Sequence, residues 1–221
     1  MALLDVNKLS IHFGGVKAVQ EVSFSIDAGI VYAVIGPNGA GKTTLFNLIT
    51  GVYKPTSGEI RLDGESIGGK SPNELAVRGV ARTFQNLQIC MNMSAIENVM
   101  VGAHLRLDRN LLKAALRLPT LTRRDAEMRV EAAELMRFVG LEKYIEARAD
   151  SMPYGALKRL EIARALAMKP RLIFLDEPAA GLNPKETIEV DELIRKVADS
   201  GITVVLVEHD MKMVMNLSDR I

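Results

Sequence analysis

The sequence is short of cysteine, of excess charge and of long apolar runs. Its 221 residues include one cysteine, Cys90, so an internal disulfide is excluded. It has 28 basic and 27 acidic residues, without the basic excess that a protein wrapping nucleic acid normally carries. No apolar run approaches the ~18 residues that span a bilayer, and residues 1–10 lack the pattern of a secretory signal. We therefore expect a soluble protein of a reducing cytoplasm.

The remaining composition is that of an ordinary globular protein. Apolar residues make up 48% and charged residues 25% of the chain, which excludes a disordered tail and a collagen-like fibre. A chain of this length buries roughly 70% of its unfolded surface, enough for a core of its own. The length suits one domain, or one domain that carries a subdomain.

The first half of the chain predicts two antiparallel strands and then a strand-loop-helix unit. Apolar residues alternate over 3–13 and 22–26, with Gly14 in the turn between them. The apolar block 30–35 predicts a strand that is buried on both faces. A glycine-rich loop and a helix over 42–50 follow it.

The second half predicts a helical insertion and then alternating helices and strands. Ser94 and Glu97 have the spacing of a capping box, within an insertion of about 86–153. The later pattern gives helices at about 154–168, 184–198 and 211–217 and strands at 172–175 and 202–207. Such alternation is typical of a parallel sheet with crossover helices. We expect one α/β domain over 1–221, with its core formed by 1–85 and 154–221.

The glycine-rich loop has the spacing GxxxxGK[ST]. It consists of Gly36, Pro37, Asn38, Gly39, Ala40, Gly41, Lys42 and Thr43, followed by Thr44. Its backbone N–H groups and the positive end of the helix suit a triphosphate, Lys42 would reach the β- and γ-phosphates, and the Thr43 hydroxyl would ligate Mg²⁺. The sequence therefore predicts a nucleoside triphosphate site; the alternative is an incidental glycine-rich turn.

Two carboxylates follow the predicted strand at 172–175. Asp176 and Glu177 would emerge at the carboxyl edge of the sheet, where α/β proteins bind ligands. Asp176 can hold the magnesium shell, and Glu177 can polarise an attacking water as a general base. Taken alone, the pair could also be a solvated strand end. Beside a phosphate loop, it favours hydrolysis of a phosphate ester.

These motifs resemble those of an ABC-type ATPase, the nucleotide-binding subunit of an ATP-driven transporter, over nearly the whole chain. The resemblance implies a P-loop NTPase fold of ABC type, with a mixed sheet, an antiparallel N-terminal β part and a helical subdomain. It also implies ATP and Mg²⁺ as cofactors, and a head-to-tail dimer that sandwiches ATP between two protomers. Family members usually continue beyond the region of Ile221, so we expect this shorter chain to be less stable, or to dimerise differently, than an extended version.

Four further positions have family roles by this resemblance. Gln85 resembles the glutamine that senses the γ-phosphate and the metal, and His209 resembles the switch histidine. Phe13 resembles the aromatic residue that stacks on adenine. Asn183 lies in the segment that contacts the opposite protomer, where the common pattern has Asp. Taken alone, each has a structural explanation as well, and Phe13 could equally belong to the core.

The segment 151–166 aligns with the family signature, which caps the ATP of the partner, but it departs from the common pattern. Pro153 replaces the usual Ser and Tyr154 replaces a Gly, whereas Gly155 is kept. Ala156 replaces the usual Gln. Loss of a hydrogen bond to a charged oxygen costs roughly 1.5–3 kcal/mol, so we expect the composite site that uses Tyr154 and Gly155 to be the weaker one in a mixed dimer. The alternative is a tolerated variant with full function.

Several strings resemble the branched-chain amino-acid importer class in particular. They are residues 81–85, 93–99, the Tyr154-Gly155 variant and 176–187. This resemblance implies a second ATPase subunit in a homo- or heterodimer, membrane-spanning permease subunits and, indirectly, a substrate-binding protein, with no nucleic acid. It places the protein in the cytoplasm, peripheral on the inner or plasma membrane through the permease subunits.

Three other functions are compatible with the sequence. An importer of urea or short-chain amides has similar ATPase subunits. A soluble ABC ATPase that acts on DNA or ribosomes normally carries a long coiled-coil insertion, a tandem cassette or a basic surface, and none of these is visible here. A degenerate regulator would bind ATP without turnover, as the altered signature allows.

Overall fold

The computed structural model describes residues 2–106 and 119–221, so the part 107–118 of the predicted insertion lies outside the described residues. The chain divides into two compact units. The first comprises Met1–Gln85 and Pro170–Ile221, and the second comprises Asn86–Lys169. Within the described ranges, no helix combines the length and the apolar character that crossing a membrane requires.

The secondary structure alternates as the sequence predicts, with a few additional short elements. In chain order the described elements are β1 (Ala2–Phe13), β2 (Val16–Asp27), β3 (Val31–Val34), α1 (Lys42–Ile49), β4 (Ser57–Leu62), β5 (Glu65–Ser66), α2 (Pro72–Val77), β6 (Val80–Arg82), α3 (Ala95–Gly102), α4 (Pro119–Phe138), α5 (Tyr154–Leu166), β7 (Leu172–Asp176), α6 (Pro184–Asp199), β8 (Thr203–Val207) and α7 (Met211–Leu217). Short 3₁₀ helices lie at Ala103–Arg106, Glu142–Tyr144 and Ala149–Ser151.

Four strands of the first unit form an antiparallel sheet in the order β2-β1-β4-β5. Strands β1 and β2 pair as predicted, with Leu4 opposite Ile26 and Ile11 opposite Val19. The turn between them uses Gly14 at a φ of +58°, a conformation that glycine adopts without steric cost. Leu4 and Ile26 are fully buried while other positions of both strands are exposed. One face of this sheet therefore covers the core.

The other four strands form a separate parallel sheet in the order β3-β8-β7-β6. The antiparallel and parallel parts are thus two sheets, where the sequence suggested one mixed sheet. Every residue of β7 and β8 is buried, which fits their continuous apolar sequences. Because the strands are parallel, Arg82, Asp176 and Val207 all lie at the carboxyl edge of this sheet.

Helix α1 packs on the core through one apolar side. Its residues Leu45, Phe46, Leu48 and Ile49 are buried. The ring of Phe46 meets the ring of Phe174 in β7 edge to face, with the centroids 5.0 Å apart. Burial of a side chain of this size contributes about 1.5–3 kcal/mol. This contact fixes α1, and with it the loop that precedes α1, relative to β7.

The second unit consists of packed helices. The predicted capping box is present at α3, where the backbone N–H of Ser94 donates to Oε2 of Glu97 at 2.8 Å. Helix α5 packs against α3 and α4. Gly102 permits this approach, because a Cβ there would overlap the carbonyl oxygen of Arg164. Residues 154–169 therefore belong to the helical unit, whereas the sequence placed them in the core.

Candidate functional site

The predicted phosphate loop leads directly into α1. Gly41 is the N-cap of this helix, and no side chain caps it, so its first N–H groups are available to an anion. Gly41 has a φ of +91°, and a Cβ at this position would lie 2.5 Å from the carbonyl oxygen of Ala18. Only glycine fits this backbone and this close approach. The second glycine of GxxxxGK thus has a steric reason in the fold.

The side chain of Lys42 folds back over the loop. Its Nζ donates to the carbonyl oxygens of Gly36 at 2.7 Å and of Pro37 at 3.0 Å. These two bonds hold the ammonium beside the positive end of α1. The combination of a fixed cation and unpaired helix N–H groups favours a bound phosphate.

A cavity of about 640 Å³ opens beside the loop. It is lined by Val16, Lys17, Ala18, Asn38, Gly39, Gly41, Lys42, Thr43, Thr44, Gln85, Glu177 and His209. Nine of these twelve lining residues were predicted from the sequence, and they come from four separate segments of the chain. The other three, Val16, Lys17 and Ala18, belong to the start of β2, which the apolar alternation placed only at residue 22. The sequence signal that could have located them is the cation Lys17, which lies next to the glycine turn.

Glu177 is held between two other predicted residues. Its Oε1 lies 2.8 Å from Nε2 of His209, and its Oε2 accepts a hydrogen bond of 2.9 Å from Nε2 of Gln85. The side chain of Glu177 is only 20% exposed. The structure thus brings the predicted base, the predicted switch histidine and the predicted γ-phosphate-sensing glutamine into one hydrogen-bonded group that borders the cavity.

The backbone of Glu177 is strained. Its φ is +50°, in the left-handed region that side chains other than glycine rarely occupy. Its backbone N–H donates to the carbonyl oxygen of Val207 at 3.0 Å, which joins the ends of β7 and β8. Strain of this kind costs on the order of 1–3 kcal/mol and occurs where the surrounding structure fixes a functional residue.

Glu208 positions the residue that follows it. It is buried, with one carboxylate oxygen accepting from the N–H of Ala179 at 2.9 Å and the other from the N–H of His209 at 3.1 Å. The loop after β8 is therefore bonded to the loop after β7. The sequence pattern assigned Glu208 no role.

Asp176 is buried at the end of β7, and it pairs with an arginine that sequence reasoning missed. Nη2 of Arg82 donates to its Oδ2 at 3.1 Å. Burial lowers the pKa of Arg82 below its usual value, and the hydrogen bond and charge of Asp176 oppose this effect. Asp176 itself does not line the cavity.

The three side chains predicted to hold Mg²⁺ carry oxygen atoms of the kind that this ion prefers, and a nucleotide would have to complete the site. Thr43 supplies a hydroxyl, Gln85 an amide oxygen and Asp176 a carboxylate, and these are the hard ligands that Mg²⁺ prefers. In the described parts of the chain, no group of three or more His, Cys, Asp or Glu side chains could hold a metal ion alone. This donor set therefore matches a cation that takes one protein carboxylate and substrate phosphates.

Six predicted nucleotide-binding residues do not line the cavity: Gly36, Pro37 and Ala40 of the phosphate loop, and Phe13, Tyr154 and Gly155. The ring of Phe13 is exposed and meets Tyr53 edge to face, with centroids 5.2 Å apart. Tyr154 and Gly155 open α5 in the helical unit, with Tyr154 exposed and Gly155 buried. Pro153 is the N-cap of α5 and provides no side-chain hydrogen bond. The helix therefore begins without the hydroxyl that a Ser would supply.

The helical unit contains a second cavity, of about 350 Å³. Its walls are mainly apolar side chains of α3 and α4, among them Val99, Met128 and Leu135. It has no glycine-rich loop at its wall. Of these two cavities, the one in the first unit has the groups that bind phosphate.

Comparison with known proteins agrees with this geometry. A family model described as "ABC transporter" matches residues 19–180. The high-affinity branched-chain amino acid transport ATP-binding protein BraF of Pseudomonas aeruginosa is 46% identical over 99% of this chain and 86% of its own length. The corresponding protein LivG of Escherichia coli K12 is 44% identical with the same coverage.

Solved structures give the same result. A nucleotide-free ATP-binding cassette from an ABC transporter superposes with a TM-score of 0.86 at 32% identity, covering 99% of this chain and 86% of that one. The ADP conformation of MJ1267, an ATP-binding cassette of an ABC transporter, also gives a TM-score of 0.86 at 32% identity. It is covered over 85% of its length.

Proposed function

Since the chain belongs to the ABC transporter family, whose ATP-binding subunits are ATPases, we propose that it powers an importer of branched-chain amino acids. Relatives at 46% and 44% identity that carry this function in their names support the substrate class. The assignment of an ATPase site rests on one observation. The phosphate loop, Gln85, Glu177 and His209 line the same cavity.

In the proposed reaction, the loop N–H groups and Lys42 bind the β- and γ-phosphates of ATP. Glu177 accepts the proton of the water that attacks the γ-phosphorus, and ADP leaves as the bond to the bridging oxygen breaks. His209 and Gln85 orient the carboxylate through the 2.8 and 2.9 Å hydrogen bonds. Thr43, Gln85 and Asp176 would hold Mg²⁺, which when bound neutralises charge on the phosphates. Phe13 would stack on the adenine.

The proposed assembly is a head-to-tail dimer in which a second ATPase subunit, the same or a related chain, completes each site. The N-terminus of α5, with Tyr154 and Gly155, would face the ATP of the partner. Because Pro153 provides no hydroxyl, we expect this composite site to bind ATP more weakly than the site built on Lys42 and Glu177. Closure on ATP and reopening after hydrolysis would move the attached permease subunits as rigid bodies.

The proposed location is the cytoplasmic face of the inner or plasma membrane, through binding to permease subunits. No described helix is suited to cross the bilayer, so attachment through partners is the arrangement that fits an importer subunit. A substrate-binding protein would act on the permeases and would contact this chain only indirectly.

A transport assay tests the proposal. The chain is co-purified with its permease and partner ATPase subunits and reconstituted into proteoliposomes with ATP inside and the substrate-binding protein outside, and uptake of radiolabelled leucine is measured. Lys42→Met should reduce uptake and should weaken ATP binding about 10- to 100-fold, because a charge-assisted hydrogen bond to phosphate is lost. Lys70→Met, on the loop before α2, is the control and should behave as wild type.

The outcomes separate the candidate functions. Uptake of urea or amides without uptake of leucine would show that the proposed substrate class is wrong, and would leave the ATPase assignment unchanged. Failure to co-purify with any permease would contradict the importer role. Binding of ATP without phosphate release in the assembled complex would support a regulator in place of an ATPase.

A further inference from the structure

We propose that Arg82 is a positioning residue that holds Asp176 in place for the metal site. The inference rests on the proposed function, in which Asp176 belongs to the magnesium shell. Both side chains are almost fully buried, at 8% exposed for Arg82 and 5% for Asp176. Arg82 is the last residue of β6, three positions before Gln85. Arg82 thus bonds the proposed magnesium ligand from the end of the strand that leads to Gln85.

The guanidinium of Arg82 joins β7 to α1. Its Nη2 donates to Oδ2 of Asp176 at 3.1 Å. Its Nη1 donates to Oδ1 of Asn47 at 2.6 Å and to Oγ1 of Thr50 at 3.0 Å, both at the C-terminal end of α1. Because α1 begins at the phosphate loop, these bonds fix the carboxylate relative to the element that would bind the phosphates.

The planar group is also held by two aromatic rings. The central carbon of the guanidinium lies 5.8 Å from the ring centroid of Phe46 and 5.0 Å from that of Phe84. Phe84 directly precedes Gln85, so the same contact helps to position the chain that leads to the glutamine. A lysine could keep the charge, but it could not present a planar fork to these acceptors and rings together.

The arrangement is poorly explained as a stabilising device alone. A buried ion pair gains little net stability, because desolvation of both charges opposes their attraction. Arg82 makes the two oxygens of the Asp176 carboxylate different. It donates to Oδ2, whereas within residues 2–106 and 119–221 no side chain or backbone donor bonds Oδ1. Thus one oxygen is fixed by the protein, and the other is left for a ligand.

A double-mutant cycle in metal-free buffer tests the pairing without ATPase activity. The variants are Arg82→Met, Asp176→Asn and the double variant, compared by Tm in EDTA. Arg82→Met alone leaves a buried charge unpaired, so it should lower the Tm by more than the double variant does. Arg171→Met is the matched control, because it breaks an exposed pair with Asp63 at 3.2 Å and should shift the Tm by about 2 °C or less.

Nucleotide binding with and without Mg²⁺ tests the positioning role. A fluorescent ATP analogue is titrated in EDTA and then at increasing Mg²⁺ concentrations. Arg82→Met should bind the nucleotide as wild type does in EDTA, and should need about tenfold more Mg²⁺ to reach the higher-affinity state, as expected when the residue that orients a metal ligand is removed. Arg82→Lys should show an intermediate Mg²⁺ requirement.

The outcomes separate the two assignments. Additive Tm losses together with a wild-type Mg²⁺ requirement in Arg82→Met would overturn the positioning role. A wild-type Mg²⁺ requirement in Asp176→Asn would overturn the role of Asp176 in the proposed function, even with strong coupling in the cycle. If the methionine variants do not fold, Arg82→Lys decides: a wild-type Mg²⁺ requirement overturns the inference, and a raised one supports it.

Discussion

Nε2 of His209 lies 2.8 Å from Oε1 of Glu177, while Oε2 of the same carboxylate accepts from Gln85. Both oxygens of the proposed base are therefore engaged, and the carboxylate has a defined orientation before any water arrives. The three residues follow three different strands of the parallel sheet, so their mutual placement depends on the sheet edge. A base that is already oriented loses less conformational entropy when the reaction begins.

Replacement of Glu177 by Gln should remove nearly all turnover at the site that this chain builds. The amide has the same shape but cannot accept the proton, and a general base contributes about 10²- to 10⁴-fold in rate. Phosphate release by the purified dimer measures the effect, and Glu65→Gln on exposed β5 is the control. A Glu177→Gln dimer with more than half of the wild-type rate would contradict the assignment.

Replacement of Phe13 by Ala should weaken ATP binding about five- to a hundredfold, the range found when a stacking ring is removed from beneath a base. Phe13 is 46% exposed, and its ring meets that of Tyr53 edge to face. Phe13→Tyr keeps the ring and should bind normally. If titration with a fluorescent nucleotide gives equal affinities for Phe13→Ala and wild type, the ring serves packing only.

Replacement of Pro153 by Ser should strengthen the composite site that uses α5. The new hydroxyl would supply a donor at the helix start, where the structure has no side-chain cap. We expect a gain of about 10- to 100-fold in ATP affinity at that site of the assembled dimer. Pro153→Ala removes the ring without adding a hydroxyl and isolates the contribution of the donor. Identical affinities for the two variants would favour a tolerated signature.

The stability of the protein should depend on pH through Asp191 in α6. Burial, and then the negative charges of Asp210, Glu208 and Glu192, raise the pKa of Asp191 from 3.8 to about 6. Its Oδ1 is buried, and the described residues offer it no hydrogen-bond donor. Because the folded pKa is raised, the carboxyl contributes stability below about pH 4 that is lost as the pH rises through 6.

Asp191→Asn removes this loss. The variant should therefore exceed wild type in Tm at pH 7.5 by about 3 °C, with a smaller difference at pH 5, once the partial exposure of the group is allowed for. Thermal unfolding between pH 5 and 8 measures the difference. The control Asp199→Asn, at the end of the same helix, leaves Asp191 and its neighbours intact and should follow the pH dependence of wild type. A difference that does not grow with pH would contradict the prediction.

Much of this protein could be predicted from local sequence. The GxxxxGK[ST] spacing determines a backbone conformation and a helix start within eight residues, and the buried strands carry continuous apolar sequences. The family resemblance that these motifs suggested is confirmed by the match over residues 19–180 and by the near full-length relatives. The capping of α3 by Ser94 and Glu97 was also predictable, because the two residues are three positions apart.

The unanticipated features are contacts between distant segments. Arg82 and Asp176 are 94 positions apart, and no spacing rule connects them. The assignment of α5 to the helical unit depends on how closely Gly102 lets the backbone at Arg164 approach. Val16, Lys17 and Ala18 reach the cavity because β2 is longer than its apolar pattern indicates.

The sequence by itself determined which chemical groups this protein carries and the short-range geometry of its phosphate loop, since hydrogen bonding and steric limits within a few residues suffice for that. Only the tertiary structure decided that Glu177 sits between Gln85 and His209, and that Arg82 takes one oxygen of Asp176. Those relationships depend on the order of parallel strands and on side-chain packing between them, which are properties of the folded chain as a whole.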